Sequence, residues 1–362
     1  MSEPIANPVI AVLGSLNLDT LLYVPKLPEP GATVAATDMN IRLGGKGANQ
    51  ALAALRQGAT VHMIGCVGND GGGLSYIQNL DMQGVNVSGI QPYEEVISGR
   101  AYITVDDLGQ NSIVVSPGAN WYVTAEFVAE RADLIDQADV LLTQLEGPVE
   151  GVVYALQRAS EMGKTTILNP SPVSPDFPWG QVPIDFLIVN QYEASAILGR
   201  NVESTKEAPE IRSQMADLGI GTLIITRGSE PTFAFSAKQA LKVPPPAVEA
   251  VDTVGAGDSF AGAFAVHWAQ TCNLLASLRK ANIAGALATL KDGAQDAIPT
   301  RDEVDNFGKA PEPTENELPA EGTLDELPAE DALIEEEAAA ETEAVEASLP
   351  SAMDDEEEEE QK

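Results

Sequence analysis

Short apolar runs alternate with stretches of helical period along most of this chain. Val9-Ile10-Ala11-Val12-Leu13-Gly14 is such a run closed by glycine, and it predicts a buried strand. Ala48 to Arg56 (ANQALAALR) has helical composition, and Thr60 to Val67 (TVHMIGCV) predicts a second strand. Helices are expected at Gly73 to Met82, Thr124 to Asp136, Glu150 to Met162 and around Ile211 to Leu218. Strands are expected at Val140 to Leu145, Thr165 to Leu168, Phe186 to Val189 and Thr222 to Thr226. Two more helices, Ser259 to Gln270 and Leu274 to Leu290, close the body. Strands alternating with helices predict an α/β fold: a doubly wound, mostly parallel sheet flanked by helices on both faces. Two stretches break the alternation, 20–41 and 97–115, the second carrying the turn signal Asp106-Asp107-Leu108-Gly109. Both read as extended segments without a helix between them, so a small antiparallel β lid is expected to project from the main sheet.

Charge divides the chain in two. Of the net −35 over 362 residues, Pro311 to Lys362 carries −20, from 21 acids and one lysine, and residues 1–310 carry −15. The C-terminal stretch has no aromatic residue, several prolines and the unbroken acidic run Asp354 to Glu360. It cannot bury enough apolar surface to offset its ordering entropy, so 311–362 is expected to be a disordered, solubilising tail, or an arm for an unknown partner. The first 310 residues suffice for one large α/β domain. An acidic body without a basic stripe argues against nucleic acid as a partner. Cys66 and Cys272 stand in no metal or redox spacing. The N-terminus lacks a basic n-region, and no apolar run reaches membrane-spanning length, so a cytoplasmic protein is expected. His62 and His267 are isolated in apolar stretches, which argues against a dedicated transition-metal site. Gly163-Lys164-Thr165 resembles the end of a P-loop, but Arg158 stands where that loop needs its first glycine.

The chemistry concentrates in Val251-Asp252-Thr253-Val254-Gly255-Ala256-Gly257-Asp258-Ser259-Phe260-Ala261-Gly262-Ala263-Phe264. An acid follows two glycines immediately before a helix and is ringed by small and apolar residues. A helix start offers unpaired N–H groups and partial positive charge to a phosphate, and Gly255-Ala256-Gly257 lets the backbone approach an anion closely. Asp258 in that first turn could take a proton from a hydroxyl as its oxygen attacks phosphorus. It could equally be an N-cap, a common role for Asp.

The longer match decides between these. The segment resembles, at every fixed position, the DTxGAGDxFxGA signature of the ribokinase-like (PfkB) carbohydrate kinases, and Arg42-Leu43-Gly44-Gly45-Lys46-Gly47-Ala48-Asn49-Gln50-Ala51 resembles the family's N-terminal signature. The resemblance covers about residues 8–308 and, through GGKGANQA, points to the ribokinase branch. It implies that Asp258 is the catalytic base and that Gly255, Ala256, Gly257 and Asp258 form the anion hole. It implies sugar contacts from Asn17 and Asp19, an NxD pair, and from Gly45, Lys46, Gly47, Asn49, Glu146 and Asp258. Asn190, Thr226, Arg227, Gly228, Ser229, Gly257 and Asn282 fall where the family binds ATP. Asn190 and Glu193 match an NxxE motif whose Glu organises Mg²⁺ through water, which suits a reluctantly dehydrated ion. A monovalent cation, usually K⁺, is implied beside Asp252, Val254, Ala288, Lys291, Gly293 and Ala297, where it would strengthen the anion hole. A homodimer formed through the lid is also implied.

Two positions depart from the family pattern. Ala297 replaces a frequent serine, which removes a hydroxyl from the cation site. Pro231 stands where a second glycine is usual, which stiffens the nucleotide loop. Three activities stay open on the residues alone. The favoured one is transfer of the γ-phosphoryl of Mg·ATP to the 5-hydroxyl of D-ribose, giving ribose 5-phosphate and ADP. The others are a kinase of the same family acting on a ketose or nucleoside, and a catalytically idle member serving as a binding scaffold.

Overall fold

The computed structural model describes residues 4–309; the expected acidic tail lies outside the described residues. In chain order the strands are β1 (Val9–Leu13), β2 (Asn17–Val24), β3 (Asp38–Gly44), β4 (Thr60–Gly68), β5 (Asn86–Tyr93), β6 (Gly99–Asp106) and β7 (Asn111–Ser116). There follow β8 (Val140–Gln144), β9 (Thr165–Asn169), β10 (Ile184–Asn190), β11 (Ile220–Arg227), β12 (Glu230–Ser236) and β13 (Ala240–Val243). The helices are α1 (Lys46–Arg56), α2 (Gly71–Gln83), α3 (Ala125–Ala129), α4 (Ala132–Gln137), α5 (Val149–Glu161), α6 (Gln191–Leu198), α7 (Ala208–Asp217), α8 (Ala256–Thr271), α9 (Leu274–Ala288) and α10 (Arg301–Asn306).

The main sheet has the order β13-β12-β11-β10-β9-β8-β1-β4-β5, parallel from β11 to β5 and antiparallel at the β11-β12-β13 edge. Successive residues of β1 serve opposite faces. Ile10 and Val12 join a core with Leu52 of α1 and Phe264 of α8, while Ala11 and Leu13 join one with Leu156 of α5 and Ile211 of α7. Strands apolar on both faces are what a sheet covered by helices on both sides requires. The chain runs from β1 outward through β4 and β5, then returns to lay β8 on the other side of β1. The switch point of the topology is therefore between β1 and β8, and ligands of open α/β sheets gather outside the carboxyl ends of the strands at such a point.

The projecting sheet has the order β3-β2-β6-β7. Two antiparallel pairs, β2 with β3 and β6 with β7, are joined in the middle by a parallel pairing of β2 with β6. Its strands cover most of 97–115 but only the two ends of 20–41, since 25–37 contains no strand or helix.

Three differences from the sequence reading have physical causes. The helix expected over 124–136 divides into α3 and α4. At the break, the Arg131 guanidinium lies 3.8 Å from the centre of the Phe127 ring and donates to the Phe127 carbonyl at 3.0 Å. Strand β5 at one edge and the antiparallel pair β12 and β13 at the other add to the main sheet, and α6 and α10 add to its helices. Both of those helices begin with capping boxes, Asn190 with Glu193 and Thr300 with Glu303.

Helices α1 and α8 touch through small residues. A Cβ on Gly262 would come within 2.5 Å of the Ala53 Cβ and 2.7 Å of the Gln50 carbonyl. Gly262→Val should therefore push the two helices apart and lower unfolding stability by about 2 kcal/mol or more, read from urea denaturation. Gly71→Ala, whose Cβ would meet nothing within 4 Å, is the control expected to leave it almost unchanged.

Candidate functional site

The site is assembled where α1 and α8 begin and where β1 and β8 end. Gly255 is the N-cap of α8, with φ +77 and no side-chain cap. Only glycine adopts that left-handed turn without strain, and no cap competes for the N–H groups of the first turn. Asp258 is the third residue of the helix, not its cap, so the N-cap reading fails. Its carboxylate is buried and accepts from Asn49 Nδ2 at Oδ2 and from Gln50 Nε2 at Oδ1, both at 2.9 Å. Gln50 also donates to Asn169 Oδ1 at 3.0 Å and accepts from Gln144 Nε2 at 2.6 Å. Gln50 stood in the GGKGANQA signature without a role of its own, and neither Gln144 nor Asn169 was singled out from the sequence, where a lone amide at a strand end carries no distinguishing signal.

On one side of Asp258 lie the predicted sugar residues. Asn17 and Asp19 alternate along the first turn of pleat in β2 and so share a face. Asn17 Oδ1 accepts from Asn120 Nδ2 at 2.8 Å, and Asn120 is itself anchored by Leu16 N at 2.9 Å. Asn120 was also missed. Glu146, just past β8, accepts from Ser15 Oγ at 2.5 Å and from the Lys46 amide at 3.3 Å. Gly45 caps α1, and Lys46 and Gly47 lie in its first turn, which brings the GGKGAN segment onto this side.

On the other side is a cavity of about 600 Å³, lined among others by Thr226, Gly228, Ser229, Ala256, Gly257 and Asn282. The Asn282 amide is already used: its oxygen accepts from Thr232 Oγ1 at 2.7 Å and its nitrogen donates to the Val243 carbonyl at 3.1 Å. It offers the cavity a fixed wall more than free hydrogen bonds. The Arg227 side chain does not line this cavity. It pairs with Glu230 at 2.5 Å and stacks over the Phe233 ring at 4.3 Å. Asn190 and Glu193 form the capping box of α6, Glu193 Oε2 accepting from the Asn190 amide at 2.9 Å and Asn190 Oδ1 from the Glu193 amide at 2.8 Å. One oxygen of a buried carboxylate is thereby held and the other left available, which fits a water-bridged divalent ion.

The residues expected around a monovalent cation fall in two adjoining loops and, for Ala288, at the last position of α9. Asp252 accepts from the amides of Val254 and Gly293, each at 3.0 Å. Ala288 and Ala297 are buried, whereas Lys291 is turned out to Glu303 at 3.3 Å. Asp252 is occupied in tying the loops together, and Ala297 has only its carbonyl to offer, so a cation here would rely on backbone oxygens.

The charges of the site are unbalanced. Burial pushes Asp19 up to about 7, reinforced by repulsion from Glu146 and Asp258. Burial likewise holds Glu146 above the ordinary carboxylate range, against the pull of Lys46 and the Ser15 hydroxyl. For Lys46, burial works against the charged form, but the fields of Asp258, Glu146 and Glu193 outweigh it and the ammonium is held above its usual value. One fixed cation thus faces several carboxylates, one of which sheds its charge near neutrality. A polyol and a Mg-nucleotide are the kinds of ligand that such a set can hold: the acids accept from hydroxyls, and the helix N-terminus faces phosphate.

Comparison with known proteins shows the family of the chain. The model for the pfkB family carbohydrate kinases matches residues 7–301. A ribokinase of Haemophilus influenzae is 35% identical over 298 residues, covering 82% of this chain and 97% of that protein. A ribokinase of Bacillus subtilis is 37% identical over 302 residues, covering 82% and 98%. A solved structure of Arabidopsis thaliana ribokinase complexed with ribose and ATP superposes with a TM-score of 0.76 at 27% identity, over 85% of this chain and all of that one.

A stability consequence follows from Asp19. Its folded-state value lies above its unfolded value, so its ionised form opposes folding, fully above about pH 7 and progressively less as pH falls toward 4. Asp19→Asn removes that cost. The ligand-free variant should melt higher than the parent at pH 8, and the difference should shrink steadily between pH 7 and pH 4 in thermal scans.

Proposed function

The chain belongs to the pfkB family of carbohydrate kinases, and on that premise we propose that it is a ribokinase, transferring the γ-phosphoryl group of ATP to the 5-hydroxyl of D-ribose. The observation that carries this reading is the place of Asp258. A buried carboxylate stands at an uncapped helix N-terminus, between a nucleotide-sized cavity and the polar group Asn17, Asp19 and Glu146.

Asp258 takes the proton of the 5-hydroxyl as its oxygen attacks phosphorus in line with the departing ADP. Asn49 and Gln50 hold both carboxylate oxygens, so the base is fixed before the sugar arrives. The N–H groups of Gly257 and Asp258, behind Gly255 and Ala256, receive the charge that builds on the transferring group. Lys46 adds a positive charge on the sugar side. Asn17, Asp19, Glu146 and Asn49, with the backbone at Gly45 and Gly47, accept from and donate to the sugar hydroxyls. Positioning and charge stabilisation do most of the work, because phosphoryl transfer asks little covalent chemistry of the protein.

Glu193 with Asn190 would hold the water shell of an Mg²⁺ ion bound with ATP, and that ion would supply charge neutralisation at the phosphate oxygens. Among the described residues no cluster of His, Cys, Asp or Glu could hold a metal by itself, so the nucleotide must supply the ion's main ligands. Thr226, Gly228, Ser229 and Asn282 flank the nucleotide. A K⁺ ion among the carbonyls near Asp252, Val254, Ala288, Lys291, Gly293 and Ala297 would stabilise the anion-hole loop without touching substrate. Exposed Met39, Ile41, Ile113, Val114 and Val115 give the lid an apolar surface, on which we place a homodimer contact. Among the described residues no helix is long and apolar enough to cross a membrane, and we place the reaction in the cytoplasm.

ADP release from Mg·ATP should depend on ribose, and Asp258→Asn should lower kcat by about 10²–10⁴-fold, the usual contribution of a positioned base. Turnover with a ketose or nucleoside but not ribose would move the chain to another substrate, and no turnover with any of them would leave a scaffold. Rates measured with and without K⁺ test the cation site in the same assay.

A further inference from the structure

The carboxylate of Asp258 is gripped by two converging lines of side-chain amides, and every amide in them donates toward it. On one side, the Tyr76 hydroxyl donates to the Gly44 carbonyl at 2.5 Å and accepts from Gln295 Nε2 at 2.6 Å. Gln295 Nε2 also donates to Asn49 Oδ1 at 3.1 Å, and Asn49 Nδ2 donates to Asp258 Oδ2 at 2.9 Å. On the other side, Gln144 Nε2 donates to Gln50 Oε1 at 2.6 Å, and Gln50 Nε2 donates to Asp258 Oδ1 at 2.9 Å. Asn49, Gln50, Tyr76, Gln144, Asp258 and Gln295 are all buried, so water cannot substitute for a missing partner.

An amide can present either a donor or an acceptor to a neighbour, and a half-turn exchanges them. Asn49 is held in this sense from both ends: the Asp258 carboxylate accepts from its nitrogen, and Gln295 presents a donor to its Oδ1. The orientation of Gln295 is set in turn. Burial pushes the Tyr76 phenol far up, so it keeps its proton and donates to Gly44, which leaves its oxygen to accept from Gln295. The backbone at Gln295 is pinned as well, since Arg56 Nη1 donates to the carbonyls of Gln295 and Ile298 at 2.8 and 2.7 Å.

We propose that Gln295 and Gln50 are positioning residues of the phosphoryl transfer: they fix the donor sense of the amides around Asp258 and so its readiness to accept the sugar proton. This rests on Asp258 being the base. Gln295 lies between Gly293 and Ala297, in the loop to which the monovalent cation is assigned, so the same loop reaches the base through one side chain.

The test reverses polarity at constant shape. Ribose-dependent kcat and both KM values would be measured from pH 6 to pH 8.5 for the parent, Gln295→Leu, Gln295→Glu and Asp258→Asn, with melting temperatures recorded. Gln295→Leu should lose about 10-fold in kcat with KM values within about threefold, the effect expected when a charge-assisted hydrogen bond loses its support. Gln295→Glu can only accept when ionised, so it should turn Asn49 over and lose on the order of 100-fold at pH 8. That deficit should shrink toward pH 6, as the buried carboxyl regains a hydrogen to donate. A merely structural glutamine would give equal losses in both variants at every pH, and that result, or kcat within twofold of the parent, overturns the proposal. If the Gln295 variants do not fold, Gln50→Leu and Gln50→Glu make the same comparison from the other side. Activity surviving in Asp258→Asn would sink the assignment of the base, whereas an inactive Asp258→Asn beside unperturbed glutamine variants would sink this inference alone.

Discussion

The close approach of α1 to α8 is the constraint on which the site depends. Gly262 presents no side chain to Ala53, so the two helices approach as near as their backbones allow, and their first turns are brought side by side at one end. Only at that separation can Asn49 and Gln50, on one helix, reach the carboxylate of Asp258 on the other with short side chains. A wider spacing would leave a buried carboxylate without donors, which costs far more than the contact itself contributes. The small residues of the two signatures are therefore packing requirements of a catalytic geometry as much as phosphate-binding devices. They act together with the large ones, since Phe260 and Phe264 on α8 fill the same core that Leu52 enters from α1.

The second constraint is electrostatic. An acidic body has to attract a polyanion into a pocket that already holds several carboxylates. The local field settles this. Lys46 is half-buried among Asp258, Glu146 and Glu193 and keeps its charge because of them, and the first turn of α8 is uncapped and lines the cleft. Asp19 lightens the burden further by shedding its charge near neutral pH. A sugar hydroxyl meeting it then finds a group able to donate or to accept, which is more useful to a polyol than a second fixed anion.

Much of this was legible in the sequence, and the parts that were not share a physical character. The parallel body could be read because each of its strands is an apolar run and each long helix has its own period. Strands β12 and β13 could not: β13 is a four-residue edge strand of mixed polarity, and β12 opens on Glu230-Pro231, a proline that argues against a strand paired on both sides. The division of α3 from α4 falls at Arg131, whose guanidinium folds back on the Phe127 ring four residues earlier, a side-chain contact that the apolar pattern does not display. At the site, the two signatures pointed to Asp258 and Lys46, and separate short matches to Asn17, Asp19 and Glu146. They could not reveal that Arg227 is taken up by Glu230 and Phe233, or that Asn282 is saturated by Thr232 and Val243. Gln144, Gln295 and Asn120 were invisible for the complementary reason: a lone amide becomes meaningful only once its partners, more than ninety positions away in each case, are in place.

The lid belongs to the same logic. Strand β2 begins at the floor of the site with Asn17 and Asp19 and continues without a break into the projecting sheet, where β3 and β6 flank it. The residues proposed to hold the sugar are thus the first residues of the lid itself, and any displacement of that sheet acts directly on them. Arg42, paired with Asp19 across the β2–β3 ladder, reaches in the other direction to Asp292 at 2.5 Å. Asp292 adjoins Gly293, whose amide is held by Asp252 just ahead of the GAG turn. One strand pair therefore touches the sugar residues and the loop behind the anion hole at once. Sugar binding, lid position and the geometry of the phosphate turn are joined by covalent continuity at one end and by an exposed ion pair at the other, and the exposed pair is the end that solvent and salt can loosen.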